Sequence, residues 1–155
     1  MKPYFALFIS VFLLYTAASA QSTNDVLDAN RAFTGATASQ QTYHAIYQLD
    51  SNDPKIISKT FRNINNVLND PRLAGKLQIE LVAFSGGTDA YLKGSSYEKD
   101  VKALVEKGVI VTQCSNTLKE RKIGRNQIYD FIAIVPTGNC ELILRQAEGW
   151  AVIKP

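Results

Sequence analysis

Cys114 is the residue whose type and setting point most directly to chemistry. It closes the run Val109-Ile110-Val111-Thr112-Gln113 and precedes Asn116 and Thr117, either of which can cap a helix, and Thr117-x-x-Glu120 has capping-box spacing. A thiol at the junction of a strand and a helix N-terminus meets free amide N–H groups and the positive end of the helix dipole. Both favour the thiolate, the nucleophilic form. The alternative at this position is a packed, inert cysteine, because free cysteine is among the most buried residue types. Cys140 is the second thiol and lies near the start of a later helix. A plain helical role and a disulfide to Cys114 in an oxidising compartment both stay open for it.

Other chemistries fail on residue type or spacing. Thioredoxin-like exchange needs Cys-x-x-Cys, which is absent. A cysteine phosphatase needs an arginine six residues after its nucleophile, where this chain has Glu120, with Arg121 one place late. The turn Leu49-Asp50-Ser51-Asn52-Asp53-Pro54 puts carboxylates where a flavin phosphate would need donors, and Gly86-Gly87 alone is a weak phosphate signal. No cofactor is implied. His44 is the single histidine, which excludes a multi-histidine metal site, so no metal is expected. The formal charge is +3, with cations interleaved among acids as in Lys119-Glu120-Arg121-Lys122. Without a basic stripe, nucleic acid is not the expected partner.

The elements that must position Cys114 follow from periodicity. Tyr43 to Leu49 reads as a strand, and Asp53-Pro54 opens a helix carrying Ile57, Phe61, Ile64, Val67 and Leu68 at helical spacing. Leu77 to Phe84 is a second strand, followed by a Ser85-Gly86-Gly87-Thr88 loop. Tyr97 to Lys107 is a helix and Val109 to Gln113 the third strand. Thr117 to Lys122 is a short helix, Phe131 to Val135 the fourth strand, Cys140 to Glu148 a helix, and Trp150 to Lys154 the fifth strand. Alternation of this kind predicts a three-layer α/β sandwich with a mostly parallel five-stranded sheet covered on both faces. Ligands gather outside the carboxyl ends of such strands. Ser85 to Thr88, Cys114 to Thr117 and Pro136 to Cys140 all belong to that edge, where Ser85, Gly86, Gly87, Asn116, Thr117 and Gly138 are expected to shape the site.

The N-terminal residues set the expected compartment. Lys2 supplies a positive start, Tyr4 to Tyr15 is apolar except for Ser10, and Ala18-Ser19-Ala20 has small residues where a signal peptidase reads. Residues 1–20 are therefore expected to be a signal peptide, leaving a periplasmic or secreted protein. The apolar run is short against the roughly 20 residues a bilayer span requires, so no stable span is expected after cleavage. Residues 21–41, rich in Ser, Thr, Asn and Ala, read as a flexible leader, with a short helix near Val26 to Phe33 as the weaker option. Residues 42–155 form the domain.

Two segments carry a family resemblance. Val109 to Leu118 resembles the GV-x-x-x-C-x-N-T-L segment of the DsrE/DsrF-like proteins. Val135-Pro136-Thr137-Gly138, Glu141-Leu142 and Gln146 to Pro155 resemble that family's closing VPSG, EL and Q-x-EGYAYIKP motifs. The similarity spans Tyr43 to Pro155. It implies a flavodoxin-like, DsrE-like fold, assembly as trimers or hexamers, and sulfur relay through a persulfide on the cysteine that falls on Cys114. A small sulfur compound or a thiol partner would be the substrate. Cys140 occupies a position usually aliphatic in relatives, and Phe84-Ser85-Gly86 stands where a His-Gly pair is common. The rival reading is a non-catalytic, oligomeric small-ligand-binding protein in which Cys114 is buried and inert.

Overall fold

A computed structural model describes residues 23–155, and the expected signal segment, residues 1–20, lies outside them. The chain divides into two units, Met1–Ala36 and Thr37–Pro155. In the first, helix α1 spans Thr23–Ala32, within the segment read as a leader. Asp25 in its first turn and Arg31 in its last complement the helix dipole.

The second unit is built on strands β1 (Tyr43–Leu49), β2 (Leu77–Ala83), β3 (Ile110–Cys114), β4 (Ala133–Val135) and β5 (Ala151–Ile153). All neighbours pair in parallel, in the order β4-β3-β2-β1-β5. Helix α2 (Pro54–Leu68) starts where the Asp53 carboxylate accepts the Lys55 N–H at 2.8 Å, with Pro54 in the first turn, where no hydrogen-bond donor is needed. It buries Ile57, Phe61 and Ile64. Helix α3 (Glu98–Glu106) buries Val101 and Leu104. Both cover one face of the sheet, against Tyr47, Leu49, Leu81, Ala83 and Val111.

Helix α5 (Gly138–Ala147) serves the opposite face, where Leu142 packs with Ile46, Val82 and Trp150. Topology explains the division. The steps β1 to β2 to β3 march one way through the sheet, whereas α5 carries the chain from β4 back past three strands to β5. Because parallel crossovers share one hand, reversing the direction of travel places the helix on the other side. The result is a three-layer α/β structure.

This second face also holds charge. Glu80 is fully buried on β2, where Thr112 Oγ1 donates to Oε1 at 2.9 Å and Arg145 Nε of α5 donates to Oε2 at 2.7 Å. The Arg145 guanidinium lies 4.2 Å over the Trp150 ring, and that ring packs 5.0 Å from His44. The single histidine is thus part of an aromatic contact at the amino-terminal end of β1.

Candidate functional site

The carboxyl edge of β3 ends on Cys114, and a short helix, α4 (Ser115–Glu120), begins at once. The expectation that Asn116 or Thr117 caps this helix is corrected here. The cap is Cys114 itself, in extended backbone, with its Sγ accepting the Thr117 N–H at 3.5 Å. Starting at Ser115 rather than Thr117 moves Asn116 and Thr117 into the first turn, so the Thr117/Glu120 capping box does not form. The reason is geometric: β3 runs straight into the turn, and only the Cys114 side chain lies over the first free amides.

Cys114 retains 4% exposure, yet it receives donors from two helices. Burial pushes its thiol up. The N–H of Thr117, the N–H of Gly138, the Thr117 hydroxyl and the N–H of Asn116 outweigh that push and hold the thiol below its ordinary value. Gly138 opens α5, so the beginnings of α4 and α5 converge on one sulfur. The sheet pairs Cys114 with Val135, the last residue of β4, which brings the α5 start into range.

The sulfur borders a pocket of about 160 Å³ lined by Phe84, Ser85, Cys114, Asn116, Thr117, Glu120, Thr137, Gly138 and Asn139. Asn116 Nδ2 donates to Thr137 Oγ1 at 3.1 Å, tying the α4 start to the β4–α5 turn. Gly138 is required by contact, because a Cβ there would sit 2.7 Å from Phe84 Cδ1. Ser85 opens a 3-10 segment, Ser85–Tyr91, with φ at 49°, in the left-handed region. Arg121 steadies it: Nη1 donates to the Ser85 carbonyl at 2.9 Å and Nη2 to Asp89 Oδ1 at 2.5 Å.

Of the residues singled out from sequence, Ser85, Cys114, Asn116, Thr117 and Gly138 meet at this pocket. Gly86 and Gly87 do not line it. They let the 3-10 segment lie on the end of β1, where a side chain at Gly87 would run into the Leu49 carbonyl and one at Gly86 would come within 2.8 Å of the Asn52 nitrogen. Cys140 is exposed, and both cysteines are free. At about 100° per residue it lies on the far side of α5 from Gly138, beside exposed Ile143 and Leu144. Sequence reasoning missed Glu120 and Phe84 as lining residues and Arg121 as a support. Glu120 follows Thr117 by one helical turn, and that spacing was the available signal. Among the described residues, no group of His, Cys, Asp and Glu has the makings of a metal site.

No protein-family model and no curated protein matches the chain. Solved structures do match, two of them as follows. The MTH1491 protein of Methanobacterium thermoautotrophicum, titled a protein of unknown function, is 30% identical over 73% of this chain and 99% of its own, with a TM-score of 0.69. The YchN protein of E. coli is 16% identical over 75% of this chain and all of its own, with a TM-score of 0.60, a likeness of fold.

Proposed function

The chain belongs to one family with the MTH1491 protein, and on that premise we propose that it is an exported DsrE-like protein whose Cys114 binds and transfers sulfur. The observation that carries the reading is the Cys114 sulfur itself, held by N–H groups from the first turns of α4 and α5 at the wall of a small pocket. Such a setting favours a thiolate without a neighbouring histidine. In the transfer step, the Cys114 thiolate attacks the outer sulfur of a low-molecular-weight persulfide. The new S–S bond leaves Cys114 as a persulfide, and the old S–S bond breaks to release the donor as a thiolate.

Export to the periplasm or beyond is proposed from residues 1–20, with the mature chain starting at Gln21. Assembly as a trimer or hexamer is proposed from the family resemblance, with the outer side of α5 as a contact. There Ile143 and Leu144 are 65% and 53% exposed beside Cys140.

The test is mass spectrometry of protein from its native compartment, and of purified protein exposed to polysulfide. The expected result is a gain of about 32 Da, one sulfur atom, on Cys114 and not on Cys140. An unmodified Cys114 after polysulfide would sink the reading. The near-complete burial of Cys114 and its use as a cap favour a second reading, a non-catalytic ligand-binding protein with an inert thiol. A Cys114 that titrates no lower than an ordinary thiol would select it.

A further inference from the structure

We propose that the pocket beside Cys114 selects compact, cationic sulfur donors, the persulfides of small aminothiols, and that Glu120 sets this preference. The proposal rests on the sulfur-transfer reading and names the class of donor for the same site.

Size narrows the class first. The pocket measures about 160 Å³, and an engineered cavity of about 150 Å³ takes one benzene molecule. A donor with two or three carbons beside its persulfide fits that space. A tripeptide persulfide would leave most of its atoms outside.

Charge narrows it further. Among the described residues that line the pocket, Glu120 alone carries a charge. Its carboxylate has no ion pair or hydrogen bond to any described residue. The adjacent cation, Arg121, is committed to Asp89 and to the Ser85 carbonyl. Lys119 stands about 200° round α4 from Thr117, and neither it nor Lys122 lines the pocket. From the β4 side, Pro136 to Asn139 bring no charge, and Glu141 is paired with Arg145.

Asn116 adds an acceptor to this carboxylate. Its Nδ2 donates to Thr137 Oγ1 at 3.1 Å, which leaves Oδ1 of the same carboxamide to accept. A carboxylate and an amide oxygen at one pocket suit an ammonium group, which carries three donors and no acceptor. A donor bearing a carboxylate meets the reverse, since Glu120 repels it and the pocket walls offer no cation. In the transfer, the Cys114 thiolate bonds to the outer sulfur, which keeps its proton. The electron pair of the broken S–S bond leaves on the inner sulfur. An ammonium group two carbons away stabilises that departing thiolate.

The experiment follows the rate at which Cys114 gains about 32 Da, in a Cys140→Ser background. The donors are three persulfides of similar length, those of aminoethanethiol, mercaptoethanol and mercaptopropionate, which are cationic, neutral and anionic. The parent should favour the cation over the anion. Glu120→Gln should lower the cation-to-anion rate ratio about tenfold at low salt. One charge at about 4 Å in water is worth about fivefold, the two donors differ by two charges, and screening removes part of the effect. Glu120→Lys should invert the preference, and about 1 M salt should shrink every difference. Glu106→Gln, at the exposed last position of α3 and the other end of β3 from Cys114, should keep the parent ratio. An unchanged ratio in Glu120→Gln, or an equal fall in Glu106→Gln, overturns the proposal. A general loss of reactivity cannot imitate the expected result, because each variant is read as a ratio between donors. If no donor adds sulfur to the parent, the sulfur-transfer reading falls. Labelling of Cys114 by methanethiosulfonates of the same three charges then decides the pocket's preference alone, and equal or absent labelling overturns it.

Discussion

The two faces of the sheet are built differently. Under α2 and α3, aliphatic and aromatic side chains fill the layer, and Tyr47, Leu49, Ile57, Ile64, Leu81 and Leu104 are almost wholly buried. Under α5 the apolar cluster is small, Ile46, Val82 and Trp150, and its neighbours on the same face are the Glu80–Thr112–Arg145 contact and the Cys114 pocket. One face is mainly a packing layer, whose buried polar side chains, among them Thr60 and Gln113, are neutral, and the other keeps charged groups and a thiol that can respond to solvent, protons or a ligand. A single returning helix explains the difference: it covers less of the sheet, and what it does cover has been fitted with charge pairs and free amides.

The strongest test of this contrast removes the cation. Arg145→Met should destabilise the domain by about 3–5 kcal/mol at neutral pH, because it leaves Glu80 buried and unpaired. The loss should shrink on acidification. Burial already raises the Glu80 carboxyl above its ordinary value, even with Thr112 and Arg145 opposing the rise. A raised folded-state value contributes stability below the ordinary carboxylate range and loses it as pH climbs through the raised value. Urea unfolding at pH about 5 and about 8 reads both effects, and a penalty equal at the two would contradict the account of this face.

The packing face should behave otherwise. Leu104→Ala should cost about 3 kcal/mol through lost transfer energy and a cavity, with the same loss at both pH values. A pH-dependent loss there would erase the distinction between the faces. The smallest effect belongs to the outer side of α5. The pair Ile143→Gln and Leu144→Gln should change protomer stability by no more than about 0.5 kcal/mol, as exposed substitutions do. Light scattering should nonetheless show the assembled mass falling towards one protomer. An unchanged assembly would move the subunit contact elsewhere.

Much of this was legible in the residues. Asp53-Pro54 announces α2 because a carboxylate cap and a proline in the first turn act within three residues of each other. β1 emerges at Tyr43–Leu49 because aromatic and branched residues there suit a pleated, half-buried surface. Alternating strands and helices made a parallel sheet the expectation, and that logic placed Cys114 at its carboxyl edge. Less legible were element ends: the fourth and fifth strands shrink to Ala133–Val135 and Ala151–Ile153, as edge strands paired on one side only. The 85–88 loop became part of a 3-10 segment.

The sequence by itself determined the alternation of elements, the sheet type, the place of Cys114 at a strand-to-helix junction and the exclusion of metal-histidine and Cys-x-x-Cys chemistry. Tertiary structure alone decided that Cys114 is the cap, that the α5 start donates to it, that Cys140 faces away and that Arg145 reaches Glu80. The physical reason is range. Caps and amphipathic periods act over three or four residues, which a reader of one chain can count. The contacts that shape the site join residues 32 apart, as Ser85 to Thr117, and 65 apart, as Glu80 to Arg145. Those meetings depend on strand order and on which face the last helix takes, and no local pattern encodes either.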